Sequence, residues 1–139
     1  PARIPNLAGL KFTHNDLFEY GELVRDFGER YDLLWGSDEV LTAARTLGAP
    51  GAVGSTYNLA APTYLKLLRA VDEGRQEEAQ ALARTIMAGV RALITTGGGS
   101  AVPSLKALLD LGPPRPPMRA ISLEATETLR ERLTVLGYI

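Results

Sequence analysis

Leu7-Ala8-Gly9-Leu10-Lys11-Phe12-Thr13-His14-Asn15-Asp16-Leu17-Phe18-Glu19-Tyr20 is a short apolar run that closes on a lysine and passes almost at once into a helix start. Leu7 to Phe12 has the length and apolar density of a strand. Asp16 with Glu19 three residues later forms a capping-box signature. Leu17, Tyr20, Val24 and Phe27 then recur at helical spacing until Gly28 stops the run. A strand feeding directly into a helix is the βα unit of a parallel sheet.

The pattern recurs twice. Tyr31 to Trp35 reads as a second strand, followed by a helix from Ser37 or Asp38 with Leu41, Ala44 and Leu47 on one face and Gly48 as its stop. Gly51 to Ser55 reads as a third strand, short and glycine-rich, which suggests close packing or backbone approach to a ligand. Pro62 suits a first helical turn, and Leu65, Leu68 and Val71 follow it up to Gly74. Residues 1–75 are thus expected to supply three βα units.

From residue 76 to 139 the rhythm is helical only, as expected for an extension packed on those units. Ala79, Leu82, Ile86, Val90 and Leu93 mark a long amphipathic helix that ends at Gly97-Gly98-Gly99. A shorter helix starts between Ser100 and Pro103 and carries Leu105, Leu108 and Leu109. The link Gly112-Pro113-Pro114-Arg115-Pro116-Pro117 can be neither helix nor central strand. Ser122 caps a last helix with Leu129, Leu133 and Leu136 inward. No tandem repeat goes beyond the βα alternation.

Composition excludes several classes. The 139 residues are 45% hydrophobic, enough for a modest core, and carry a net charge of −1 with both signs interspersed, so there is no electrostatic footprint for nucleic acid or an anionic membrane. The absence of cysteine and the single His14 leave no thiolate or histidine framework for a metal, and fit a reducing cytoplasm. No apolar run approaches the ~18 residues of a spanning helix. The chain opens at Pro1 without an initiator Met and reaches a strand within a few residues, so a processed, truncated or incompletely represented chain is expected.

Lys11 is the candidate for chemistry. An ordinary lysine, with a pKa of ~10.4, is almost wholly ammonium at neutral pH, and apolar walls or a neighbouring cation must disfavour the charge before the amine can form a Schiff base. The competing reading is a lysine that ends a strand and reaches into water. Strand parity puts Gly9, Lys11 and Thr13 on one side, and Leu10 and Phe12 toward the covering helices. Two later clusters follow strands on the same face of a parallel sheet, where ligands bind. In Trp35-Gly36-Ser37-Asp38-Glu39, Gly36 permits close approach and Asp38 and Glu39 can accept hydrogen bonds from sugar-like hydroxyls, or Ser37 and Asp38 simply cap a helix. In Gly54-Ser55-Thr56-Tyr57-Asn58 a hydroxyl-rich turn competes with a plain capped loop. His14 reads as surface, Tyr57 as packing, and Gly97 to Gly99 lacks the strand before it and the Lys-Ser or Lys-Thr pair after it that a phosphate loop needs.

Gly9-Leu10-Lys11-Phe12-Thr13, Gly36-Ser37-Asp38-Glu39 and Gly51-Ala52-Val53-Gly54-Ser55-Thr56-Tyr57-Asn58, in this order and followed by Gly112-Pro113-Pro114-Arg115, resemble the N-acetylneuraminate lyase branch of the dihydrodipicolinate synthase superfamily of class I aldolases. The resemblance runs along nearly the whole chain. It implies an α/β fold: the C-terminal part of a TIM (β/α)₈ barrel, strands 6–8 with their helices, plus a C-terminal all-helical extension. It further implies Lys11 as the Schiff-base residue, with Thr13, Gly36, Asp38, Glu39 and Ser55 on the sugar-derived part of the substrate. The implied reaction is reversible cleavage of N-acetylneuraminate to pyruvate and N-acetylmannosamine, with no metal and no cofactor beyond the covalent imine. A 2-keto-3-deoxy-sugar-acid aldolase or a dihydrodipicolinate-type synthase is the alternative within enzymes, and a non-catalytic half-barrel assembly module the alternative outside them. A complete barrel takes about 250 residues. The family's carboxylate-binding loop and its proton-moving tyrosine have no counterpart here, so the resemblance implies dependence on an N-terminal barrel part, inactivity of these residues alone, and a cytoplasmic homotetramer.

Overall fold

Capping and close backbone approach define the first helix of the computed structural model, which describes residues 4–139. Helix α1 (Leu17–Phe27) starts where the Asp16 carboxylate accepts the Glu19 N–H at 3.0 Å. It ends at Gly28, whose N–H donates to the Val24 carbonyl at 2.9 Å. A Cβ on Gly28 would lie 2.5 Å from that oxygen, so the helix end needs a residue without a side chain.

The described residues divide after Gly54 into two compact units. In the first, strand β1 (Gly9–Phe12) pairs in parallel with β2 (Asp32–Trp35), with Lys11 opposite Leu34 and Phe12 opposite Trp35. Phe12, Tyr20 and Trp35 are buried together where α1 covers the sheet. Their ring centroids lie 4.9 Å (Tyr20–Trp35), 5.4 Å (Phe12–Tyr20) and 6.0 Å (Phe12–Trp35) apart. Aromatic burial of this kind contributes both area and ring–ring contact. The buried Tyr20 hydroxyl donates to the Leu33 carbonyl at 2.7 Å, tying α1 to β2. Burial pushes the Tyr20 phenol above its ordinary range, so it remains a donor. After β2 the chain forms a 3₁₀ turn, Asp38–Val40, and helix α2 (Leu41–Thr46), which buries Leu41 and Ala44.

Three expectations change in this unit. The third strand is a single parallel bridge between Trp35 and Ala52, held by Trp35 N–H to Gly51 O (3.0 Å) and Val53 N–H to Trp35 O (2.8 Å). Gly51 and Gly54 weaken strand pairing, and no described strand lies beyond to extend it. Leu10 does not face a covering helix closely enough to be buried, being 40% exposed. Lys11 is exposed as well. Both follow from β1 having a strand neighbour on one edge only among the described residues.

The second unit is helical. Helix α3 (Tyr57–Asp72) is two segments joined at Ala60, whose φ of −124° breaks the helix, so Pro62 stands in the first turn of the restarted segment. Its buried face is Thr63, Tyr64, Leu67 and Ala70, whereas Leu65, expected inside, is 52% exposed. The polar members decide this: Thr63 donates to the Tyr138 carbonyl at 3.0 Å, and the Tyr64 hydroxyl meets that of Thr56 at 2.7 Å. Helix α4 (Gln76–Thr96) packs on α3, α5 (Ala101–Leu108) and α6 (Leu123–Val135). Ile86, Val90 and Leu93 lie in its core as the periodicity predicts. Gly98 and Gly99, at φ 70° and 103°, turn the chain into α5, which Ser100 caps. The buried Ser104 hydroxyl then donates to Leu93 O at 2.8 Å. The proline link forms no helix or strand, and Ser122 caps α6 through the Ala125 N–H at 3.1 Å. None of the described helices is long and apolar enough to cross a membrane.

Candidate active site

The parallel register places Gly36 beside the carboxyl end of β1: its N–H donates to the Phe12 carbonyl at 2.8 Å, one step beyond the last strand pair. This brings Lys11, Thr13 and Gly36 together. A Cβ built on Gly36 would lie 2.7 Å from Lys11 Cε and 2.9 Å from Phe12 O, and would overlap Thr13 Oγ1. The stem of Lys11 and the hydroxyl of Thr13 therefore lie across the bare face of Gly36, as strand alternation requires of residues 11 and 13. Lys11 and Thr13 are both exposed.

The next residues are pinned. Trp35 Nε1–H donates to the Ser37 carbonyl at 2.6 Å, and Ser37 Oγ donates to the Thr13 carbonyl at 3.4 Å. Ser37 is thus no helix cap. It is buried and ties the turn after β2 to the turn after β1. Asp38, with 6% exposure, opens the 3₁₀ turn with its carboxylate packed against Gly54. Glu39 is exposed at the same turn, two residues after Ser37. Ser55 is exposed and begins the second unit, following Gly54 in the chain.

Of the residues singled out by sequence, Lys11, Thr13 and Gly36 share one cluster, and Asp38 continues from it along the anchored backbone. Ser37 and Gly54 matter in ways that sequence reading did not assign. Ser37 has the composition of a cap, and only the parallel register reveals its tie to Thr13. Gly54 had a signal, the glycine-rich third segment, but its partner Asp38 lies 16 positions earlier. His14 is exposed as expected, close to Glu19 at 3.7 Å, and with Asp16 and Glu19 it forms a solvent-facing group of possible metal-ligating atoms. Asp16 is already engaged in capping α1.

Chemically, the cluster offers a primary amine and a hydroxyl side by side at the carboxyl end of β1, with the buried Asp38 carboxylate two residues after Gly36 in the chain. Its strand-end placement is the side on which parallel α/β folds bind small molecules.

Comparisons with known proteins cover the chain almost end to end. The family model described as "Dihydrodipicolinate synthetase family" matches residues 2–136. N-acetylneuraminate lyase of Rattus norvegicus is 33% identical over 142 residues, covering 99% of this chain and 44% of the relative, and that of Homo sapiens is 31% identical with the same coverage. Among solved structures, N-acetylneuraminate lyase from Aliivibrio salmonicida superposes with a TM-score of 0.88 at 34% identity, covering 99% of this chain and 47% of that one. The Proteus mirabilis N-acetylneuraminate lyase gives 0.86 at 34% identity, with 98% and 47% covered. The chain therefore spans somewhat under half the length of the relatives it matches. On a family match that spans all but its terminal residues, the chain belongs to the dihydrodipicolinate synthetase family.

Proposed function

We propose that these residues form the C-terminal portion of a class I aldolase that cleaves N-acetylneuraminate to pyruvate and N-acetylmannosamine. Residues 1–75 would supply barrel strands 6–8 with their helices, and residues 76–139 the helical extension. The observation that carries the reading is the lysine stem and Thr13 hydroxyl laid across Gly36 at the end of a parallel strand, in a chain that resembles N-acetylneuraminate lyases along its length.

In this mechanism the Lys11 amine attacks the ketone carbon of the substrate and loses water, giving a protonated imine. The carbon–carbon bond two positions away breaks, its electron pair passes into the imine to make an enamine, and the hydroxyl on the departing carbon gives up its proton to become an aldehyde. The enamine takes a proton on carbon, and hydrolysis returns the amine and pyruvate. Thr13, Gly36, Asp38, Glu39 and Ser55 would hold the hydroxylated leaving part. No bound cofactor enters, because the imine itself accepts the electrons.

Two features support a requirement for further barrel strands. The outer edge of β1 has no strand partner among the described residues. A cavity of about 210 Å³ has an apolar lining from Leu7, Gly9 and Leu10 at β1, Leu23 and Phe27 of α1, and Tyr31 and Leu33 at β2. An unpaired strand edge and an open apolar cavity are both surfaces that further chain can cover. The rest of the barrel would also bring the carboxylate-binding loop and proton-moving group, desolvate Lys11, and allow a homotetramer working in the cytoplasm. The exposure of Lys11 favours one second reading, a non-catalytic half-barrel module.

Purified protein with the remaining barrel portion supplied is expected to release pyruvate from N-acetylneuraminate, and Lys11→Arg to abolish the release. Turnover of a 2-keto-3-deoxy-sugar acid in its place, or unchanged activity in Lys11→Arg, would refute the assignment.

A further inference from the structure

Gly54 carries no side chain to bind a ligand, yet the space it leaves is already occupied by Asp38. A Cβ built on Gly54 would overlap the Asp38 carboxyl carbon and Oδ1, and would lie 2.5 Å from Oδ2. Backbone conformation does not require glycine at this position, since Gly54 is not among the residues with positive φ. The requirement is for space.

Neither partner's backbone is free to retreat. The segment before Gly54 is fastened to β2 by Val53 N–H to Trp35 O at 2.8 Å and Trp35 N–H to Gly51 O at 3.0 Å. The residue before Asp38 is fastened by Trp35 Nε1–H to Ser37 O at 2.6 Å and by Ser37 Oγ to Thr13 O at 3.4 Å. With both backbones anchored on the same tryptophan, a methyl at residue 54 can be accommodated only if the Asp38 carboxylate turns away. That side chain is short and buried, and has few places to go.

We infer that Gly54 is a positioning residue that sets the direction of the Asp38 carboxylate and, through it, selectivity for polyhydroxylated substrates. The inference rests on the aldolase reading for its functional part. Gly54 touches no reacting atom, so its replacement leaves imine formation at Lys11 intact and weakens only the hold on the hydroxylated portion.

The test is run on the protein with its remaining barrel portion, in the condensation direction. Gly54→Ala is compared with the native protein using pyruvate and either a polyhydroxylated sugar aldehyde or a simple aldehyde without hydroxyls. The expected result is a loss on the order of tenfold or more in kcat/KM for the sugar, the worth of a hydrogen bond to a carboxylate, with the simple aldehyde and borohydride-trapped pyruvate adduct unchanged. Equal losses on both aldehydes, or none, would overturn it.

A double-mutant cycle with Asp38→Ala supplies a readout that needs no activity. The stability that Gly54→Ala loses in the native background should not be lost when it is added to Asp38→Ala, because the clash is gone. A loss of full size on adding Gly54→Ala to Asp38→Ala overturns the inference. Native protein that neither cleaves substrate nor traps pyruvate refutes the aldolase reading instead, while the stability cycle still decides whether Gly54 positions Asp38.

Discussion

Gly36→Ala places one methyl group at the junction of β1, β2 and the candidate site, and its effect can be worked from the neighbours. The methyl would lie 2.9 Å from the Phe12 carbonyl oxygen. That oxygen cannot withdraw without breaking its 2.8 Å bond from the Gly36 N–H, the bond that extends the β1–β2 ladder. Thr13 Oγ1 and Lys11 Cε, 2.7 Å away in the latter case, must therefore move. Overpacking an anchored site costs about 1–3 kcal/mol, roughly a fivefold to 150-fold fall in the folding equilibrium. Displacement of the lysine stem should also slow imine formation. Urea denaturation of the full protein measures the first effect, and the initial rate of borohydride-trapped pyruvate adduct measures the second. A variant within about 0.5 kcal/mol of the native protein and trapping at the native rate would refute the proposed packing of Lys11 and Thr13 over Gly36.

Two further substitutions probe the frame. Tyr20→Phe removes the hydroxyl donated to Leu33 O and should cost about 1–2 kcal/mol by denaturation. It should also remove a pH dependence. Because burial raises the folded phenol above 10.0, its contribution is intact below pH 10.0 and is lost as pH climbs through the raised value. Equal alkaline sensitivity in both proteins would contradict this. In the second unit, Gly89→Ala would press a methyl within 2.5 Å of the fully buried Tyr138 ring and should destabilise by about 1–3 kcal/mol, checked by urea midpoint. An unchanged midpoint would show that the ring can yield.

Local signals were the readable part of the fold. Asp16, Ser100 and Ser122 cap helices because a side-chain oxygen beside free N–H groups needs no tertiary partner. The α4 core follows from a pattern that neighbouring helices merely cover. The face of α3 was not readable. Thr63 and Tyr64 are buried by hydrogen bonds to Tyr138 and Thr56, and a count of apolar residues at helical spacing prefers Leu65. The third strand failed for a related reason: pairing depends on neighbours, and Ala52 forms only one bridge.

At the site, Lys11, Thr13 and Gly36 were legible because strand parity and parallel register converge on them. Ser37 looked like a cap and proved to be a tie to Thr13. Gly54 was seen only as a glycine, since a contact with Asp38 is a tertiary fact without a local signature. The apolar walls that imine formation at Lys11 calls for are not supplied by the described residues, among which Lys11 is exposed, and a run of sequence around one lysine carries no signal of what covers it.

The most direct test of the central claim is to incubate the protein, with the remaining barrel portion supplied, with pyruvate and borohydride and to map the modified peptide by mass spectrometry. The proposed mechanism predicts one reduced adduct, located on Lys11 and absent from Lys11→Arg. An unmodified Lys11, or an adduct on Lys66 or Lys106 in its place, would contradict it.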